Sequence, residues 1–114
     1  MEINQLLEAY VIRHNQGVAN GDWAALLELF AAQAELRFVG VEVGPYVGRA
    51  QIGAAFKSGP PSDSIVLLQV MAGGNKASAI YGWAKSPAKK AGTLVMTQAG
   101  GLIEKLTIAP ARRA

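Results

Sequence analysis

Apolar side chains at Ile3, Leu6, Leu7, Tyr10, Val11 and Val18 recur every three or four positions, and His14 falls on the same stripe. That period predicts an amphipathic helix over residues 2–19. Gly21 breaks it, and Asn20 or Asp22 offers a side-chain oxygen to cap the next helix. Trp23, Leu26, Leu27 and Phe30 again share one helical face, which predicts a second helix over 22–32 anchored by Trp23 and Phe30. The period then shortens to two. Across Ala34–Gly40, Leu36 and Phe38 alternate with Glu35 and Arg37, as in a strand with one buried face. Gly44 and Pro45 turn the chain, and Gly48–Lys57 reads as a third helix that stops at Ser58-Gly59-Pro60-Pro61.

Beyond that point the pattern is β. Ser64–Ala72 is a nearly continuous apolar run, as in a strand buried on both faces, and Gly73-Gly74-Asn75 marks a hairpin. Ala77–Lys85 returns with Ala79, Tyr81 and Trp83 on one face. Gly92–Gln98, Gly100-Gly101 and Leu102–Ala109 supply a last hairpin. Three helices and then a meander predict a single α+β domain over residues 1–114, with the helices on one side of a curved antiparallel sheet.

Composition narrows the chemistry. A chain of 114 residues can bury one core, and a hydrophobic share of 51% leaves apolar residues to line a cavity as well as fill one. Without cysteine there is no disulfide and no thiolate catalysis. No run approaches the ~18 apolar residues of a membrane span, and Met1-Glu2-Ile3-Asn4 lacks the basic-then-apolar start of an export signal. A cytoplasmic protein with no membrane partner is therefore expected. The net charge of +3 sits mainly in Lys85, Lys89 and Lys90, around Pro87, and in the tail Arg112-Arg113. Aromatic residues do not interleave with these cations, so no nucleic-acid partner is expected. One histidine cannot assemble the three or four protein ligands of a zinc site, and the glycines do not form a phosphate-cradling loop. Neither metal nor cofactor is expected.

Asn20-Gly21-Asp22, Leu29-Phe30-Ala31, Gly48-x-x-x-Ile52, Asn75 at the hairpin and Gly101-Leu102-Ile103 occur in an order that spans nearly the whole chain. In that order and spacing the sequence resembles the nuclear transport factor 2-like superfamily, which includes ketosteroid isomerases and SnoaL-like cyclases. The resemblance implies a cone-shaped curved sheet wrapped around three N-terminal helices, the cystatin-like α+β roll. It also implies a mostly apolar pocket at the open end and a homodimer through the outer sheet face. Set against the ketosteroid isomerases, the oxyanion tyrosine falls at His14, the proton-moving aspartate at Phe38, and the second aspartate at Thr93 or a close neighbour. A phenylalanine cannot abstract a proton, so a true ketosteroid isomerase is not expected. The Asp-Arg-Asp set of limonene-epoxide-hydrolase-like members is also missing, because no aspartate follows Asp63. SnoaL-like cyclases need an acid/base group deep in the pocket, and the only carboxylate in the later strands is Glu104.

These residues define two expectations. In the first, the chain is a small-molecule binding protein or a SnoaL-like isomerase, cyclase or lyase acting on a hydrophobic ligand. Acid/base work then falls to His14, with Tyr10 and Glu104, since an imidazole titrates near neutrality. The pocket wall would comprise Phe30, Phe38, Tyr46, Phe56, Tyr81, Trp83 and Thr93. In the second, the interior is filled and the sheet serves as a non-catalytic dimerisation or protein-interaction module. A cavity with a polar group at its base separates the first from the second. Asp22 has a structural role in either case, as the cap of a helix.

Overall fold

A computed structural model describes residues 2–111, so the Arg112-Arg113 tail lies outside the described residues. Helix α1 (Ile3–Asn20) buries Ile3, Leu6, Leu7, Tyr10, His14 and Gly17 along its predicted stripe. It ends where Gly21 takes a left-handed conformation at φ 73 and returns its N–H to the Gly17 carbonyl at 2.7 Å. Asp22 Oδ1 then accepts the Ala24 N–H at 3.0 Å, the structural role its position implies. No helix among the described residues is long and apolar enough to cross a membrane.

Helix α2 (Ala24–Leu27) is a single turn and not the predicted helix over 22–32. Strand β1 (Phe30–Phe38) starts four positions before the expected strand and takes Phe30 out of the helix. The cause lies far away in sequence: the Leu29 carbonyl accepts the Ile103 N–H at 2.8 Å, and Phe30 pairs with Ile103. A sheet pairing overrides the helical spacing, yet Phe30 keeps its predicted burial, with none of its surface exposed.

After β1 come β2 (Tyr46–Val47), α3 (Gly48–Ser58), β3 (Ile65–Gly73), β4 (Lys76–Trp83), β5 (Gly92–Ala99) and β6 (Leu102–Pro110). They form one six-stranded sheet in the order β2-β1-β6-β5-β4-β3, antiparallel throughout except where β1 runs parallel to β6. The architecture is the expected α+β curved sheet with three helices, and the sheet does not close on itself. β3 is an edge strand, so the predicted two-sided burial of Ser64–Ala72 fails: Leu68 is 40%, Val70 44% and Met71 66% exposed.

Register sorts the sheet into two faces, because residues directly opposite one another share a side. On the inner face, Phe38, Ile108, Leu94 and Ala79 form one cross-strand row, and Leu36, Leu106, Met96 and Ala77 form the next. Pro110, Gly92, Tyr81 and Leu67 make a further row toward the other end, with Trp83 opposite Ile65 beyond it. The helices cover these rows. Arg49 Nε donates to the Phe30 carbonyl at 2.7 Å, tying α3 to the start of β1. Trp23 packs directly on Gly17, whose missing side chain leaves room for the indole.

Two substitutions check this packing by urea unfolding. Phe30→Ala is expected to cost about 3–5 kcal/mol, the usual range for emptying a buried aromatic site. Gly17→Ala improves helix propensity by ~1 kcal/mol, but its methyl collides with the Trp23 ring, an overpacking cost of roughly 1–3 kcal/mol. Net destabilisation is expected, and a more stable Gly17→Ala protein would refute the contact.

Candidate functional site

The inner rows do not fill the space beneath the helices. A cavity of about 470 Å3 lies between α1, α3 and the sheet, walled by Leu36, Phe38, Phe56, Tyr81, Trp83, Leu94 and Ile108 among others. Small residues interrupt the inner rows. Ala79 and Gly92 stand in the rows that otherwise carry Leu94, Ile108 and Tyr81. Gly92 is also required sterically: a Cβ there would come within 2.9 Å of the Tyr81 hydroxyl and against the Ala109 carbonyl. Val43, Tyr46, Ser58, Pro61, Ala91 and Pro110 are also in the lining.

Two of the polar side chains in the lining come from α1. Tyr10 and His14 are one turn apart, which puts both on the face that looks at the sheet. Their ring centroids are 6.0 Å apart, and both residues line the cavity. His14 sits in an aromatic box, with ring centroids of Trp23 at 6.0 Å and of Phe56 and Trp83 at 6.4 Å.

Asn15 determines which imidazole nitrogen carries the proton. Its Nδ2 donates to the Ile65 carbonyl at 3.0 Å, and its Oδ1 accepts the Ile65 N–H at 2.8 Å. Those two backbone bonds leave no freedom to flip the amide. His14 Nδ1 lies 2.9 Å from the same Oδ1, an atom that can only accept, so Nδ1 must be the donor. In the neutral ring, Nε2 is then the unprotonated nitrogen, and among the described residues it makes no hydrogen bond. Burial pulls the His14 pKa below its usual 6.5, while the bond to Asn15 opposes this. The ring is neutral at pH 7 and presents a lone pair.

Burial acts on the phenols in the opposite sense. It pushes the Tyr10 hydroxyl well above its usual 10, with the Tyr81 phenol beside it adding to the shift. Tyr81 is raised by burial alone. Both keep their protons and remain hydrogen-bond donors. The cavity wall thus combines an imidazole acceptor with the phenolic donors of Tyr10 and Tyr81; the Tyr46 phenol and the Ser58 hydroxyl also line it, and among the described residues it holds no carboxylate side chain.

Of the expected site residues, Tyr10, His14, Phe38, Tyr46, Phe56, Tyr81 and Trp83 meet around this one space. Three do not. Phe30 is buried beneath it against Tyr10, with centroids 6.3 Å apart, in the core rather than in the cavity wall. Thr93 is opposite Ile80 and Ala109 on the outer sheet face, because a position one residue from the inward Leu94 points the other way. Glu104 is exposed at a bulge: Ile103 pairs with Gln98 and Lys105 with Thr97, leaving Glu104 as the extra residue. It cannot serve as the acid/base group of the cavity. Sequence reasoning missed Asn15, whose partner is fifty positions away, and Gly92, whose role shows only beside Tyr81.

A family model of the SnoaL-like domain matches residues 11–104. No curated protein matches the sequence. Solved structures do. A SnoaL-like protein of unknown function from Burkholderia thailandensis superposes with a TM-score of 0.72 at 17% identity, over 98% of this chain and 100% of its own. An NTF2-like protein from Anabaena variabilis gives 0.73 at 14% identity, over 96% and 89%. A protein with a cystatin-like fold from Methylobium petroleophilum gives 0.72 at 17%, over 96% and 78%. At these identities the likeness is one of fold.

The lowered His14 pKa has a signed consequence for stability. The unfolded chain takes up a proton near pH 6.5 and the folded chain only at lower pH, so stability falls as pH drops through that window. Glu35, lowered by its bond to Arg37, acts in a separate window below its usual 4.5. Unfolding midpoints taken from pH 7.5 to pH 5 should therefore decline in the native chain, and His14→Gln should flatten that decline. In an NMR titration, a His14 pKa above 7 would refute the desolvated ring, and a proton on Nε2 at neutral pH would refute the Asn15 assignment.

Proposed function

The chain belongs to the SnoaL-like domain family of the nuclear transport factor 2-like superfamily, and on that premise we propose that it binds a hydrophobic small molecule in the cavity under α1. The observation that carries this reading is the unprotonated His14 Nε2 at an otherwise apolar wall with the phenols of Tyr10 and Tyr81 nearby. An isolated acceptor in a low-dielectric space selects a ligand that donates to it, because an unmatched polar group there is costly. For a ligand with a C–H beside a carbonyl, the same groups form a base and donor set. The C–H proton passes to Nε2, the electron pair moves to the carbonyl oxygen, and Tyr10 or Tyr81 donates to the resulting oxyanion. This is isomerase, cyclase or lyase chemistry of the SnoaL-like kind, with an imidazole in place of a carboxylate base.

Phe38 on the cavity wall argues against a true ketosteroid isomerase, since that position supplies no base. A filled, purely structural interior is disfavoured by the volume of the cavity. The outer sheet face, where Ile80 and Val95 stand among Ser78, Thr93 and Thr107, supports a homodimer as the working form.

Three measurements test these statements. Calorimetry should show 4-phenylphenol binding more tightly than 4-methoxybiphenyl, which lacks the donor. His14→Leu should abolish a preference of about fivefold, the size of one net hydrogen bond at ~1 kcal/mol. Equal binding of the two by the native chain would sink the acceptor role. With a Δ5-3-ketosteroid substrate, no turnover above background is expected, and efficient conversion would mean that another group moves the proton. Sedimentation should report about twice the 11.9 kDa chain mass; a monomer would remove the dimer.

A further inference from the structure

The cavity shares part of its wall with a second, surface groove. Pro61, Trp83 and Ala91 border both, and the groove continues over Pro60, Ser62, Asp63, Lys85, Ser86, Lys89 and Lys90. Three lysines therefore line a groove that adjoins an apolar space through a shared wall. Among the described residues none of them forms an ion pair; the ion pairs join Arg13 to Glu28, and Arg37 and Lys105 to Glu35.

The loop that carries the lysines is held in place. Asp63 Oδ2 accepts the Lys85 N–H at 3.0 Å, while Asp63 Oδ1 accepts the Ser64 N–H at 2.8 Å. The one carboxylate in the groove among the described residues is thus engaged with backbone and forms no ion pair with a lysine, and three lysines against it leave the groove net positive. The Ser86 N–H donates to the Trp83 carbonyl at 2.9 Å, the Lys89 N–H to the Ser86 carbonyl at 3.0 Å, and the Ala91 N–H to the Tyr81 carbonyl at 2.7 Å. The loop also closes tightly over Gly82, where a Cβ would sit 2.8 Å from the Lys89 carbonyl. This loop is therefore anchored directly to the strand that supplies Tyr81 and Trp83 to the cavity.

We infer that the ligand is an amphipathic anion, with an apolar body in the cavity and an acidic head at Lys85, Lys89 and Lys90. The inference rests on the cavity reading above and adds the charge of the ligand to it. Its chemical class is a hydrophobic carboxylate, sulfonate or phosphate ester. The lysines are exposed, so they raise affinity and capture rate in a salt-dependent way rather than forming a dry ion pair.

Two fluorescent probes of one skeleton separate the parts of this claim. N-phenyl-1-naphthylamine is uncharged, and 8-anilinonaphthalene-1-sulfonate is the same aromatic body with an anionic head. The sulfonate should bind the native protein more tightly, and each probe should displace the other. Replacing all three lysines (K85Q, K89Q and K90Q) should weaken the sulfonate by about tenfold at low salt and leave the neutral probe unchanged. The corresponding arginine triple should retain sulfonate binding. In ~1 M salt, where the Debye length is ~3 Å, the native preference should vanish. Neutral-probe binding with no sulfonate preference, or a preference that survives the glutamine triple, overturns the anionic head and leaves the cavity reading standing. Failure of both probes to bind, or sulfonate binding that the neutral probe cannot displace, overturns this inference together with a shared cavity site.

Discussion

Two hydrogen bonds from one side chain hold helix and sheet in register. Asn15 brackets both polar backbone groups of Ile65, with Nδ2 on the carbonyl and Oδ1 on the N–H. β3 is an edge strand, and Ile65 at its start would otherwise leave these groups to water. The bracket sets the height and rotation of α1 above the sheet, and so where Tyr10 and His14 project. It also orients the amide, which in turn fixes the His14 tautomer. A structural contact and the chemistry of the site thus depend on the same atom, Asn15 Oδ1.

The cavity arises from how the sheet is furnished. A curved sheet with a large side chain in every inward position would fill the space beneath the helices. Here Gly92 interrupts one of those rows and gives the Tyr81 phenol, which lines the cavity, its place. On the helical side, Gly17 lets Trp23 lie against α1, and Trp23 stacks on Phe56 with ring centroids 5.0 Å apart. The aromatic box around His14 is built from these close approaches. Desolvation there keeps the imidazole neutral and the neighbouring phenols protonated, which divides acceptor from donor without any carboxylate.

Family membership and local chemistry contribute differently. The SnoaL-like match and the solved relatives establish the arrangement of helices and sheet. They leave the occupant of the space undetermined, since one fold hosts many functions. The specific content comes from this chain's own residues: the His14 imidazole beside the Tyr10 and Tyr81 phenols, Phe38 in the apolar wall, and a lysine loop on the adjoining groove.

Where period and spacing carried the information, the sequence was enough. The stripe from Ile3 to Val18 placed Tyr10 and His14 on one buried face, and the alternation of Leu36 and Phe38 with Glu35 and Arg37 placed an inner and an outer side. The turns at Gly21, Gly74 and Gly101 fell where only glycine accommodates the backbone readily. Contacts between distant residues decided the rest. Phe30 has the spacing of a helix and sits in a strand, because pairing with Ile103 outweighs a few tenths of a kcal/mol of local propensity. Glu104 and Thr93 depended on register, where a bulge or a one-residue offset reverses the face and removes both from the site. The tautomer of His14 depended on a neighbour whose orientation is set fifty residues away. Local pattern marked the buried face of α1 and β1 but not the exposure of Leu68, Val70 and Met71 on the edge strand, and only the assembled sheet-and-helix geometry determines what each buried group faces.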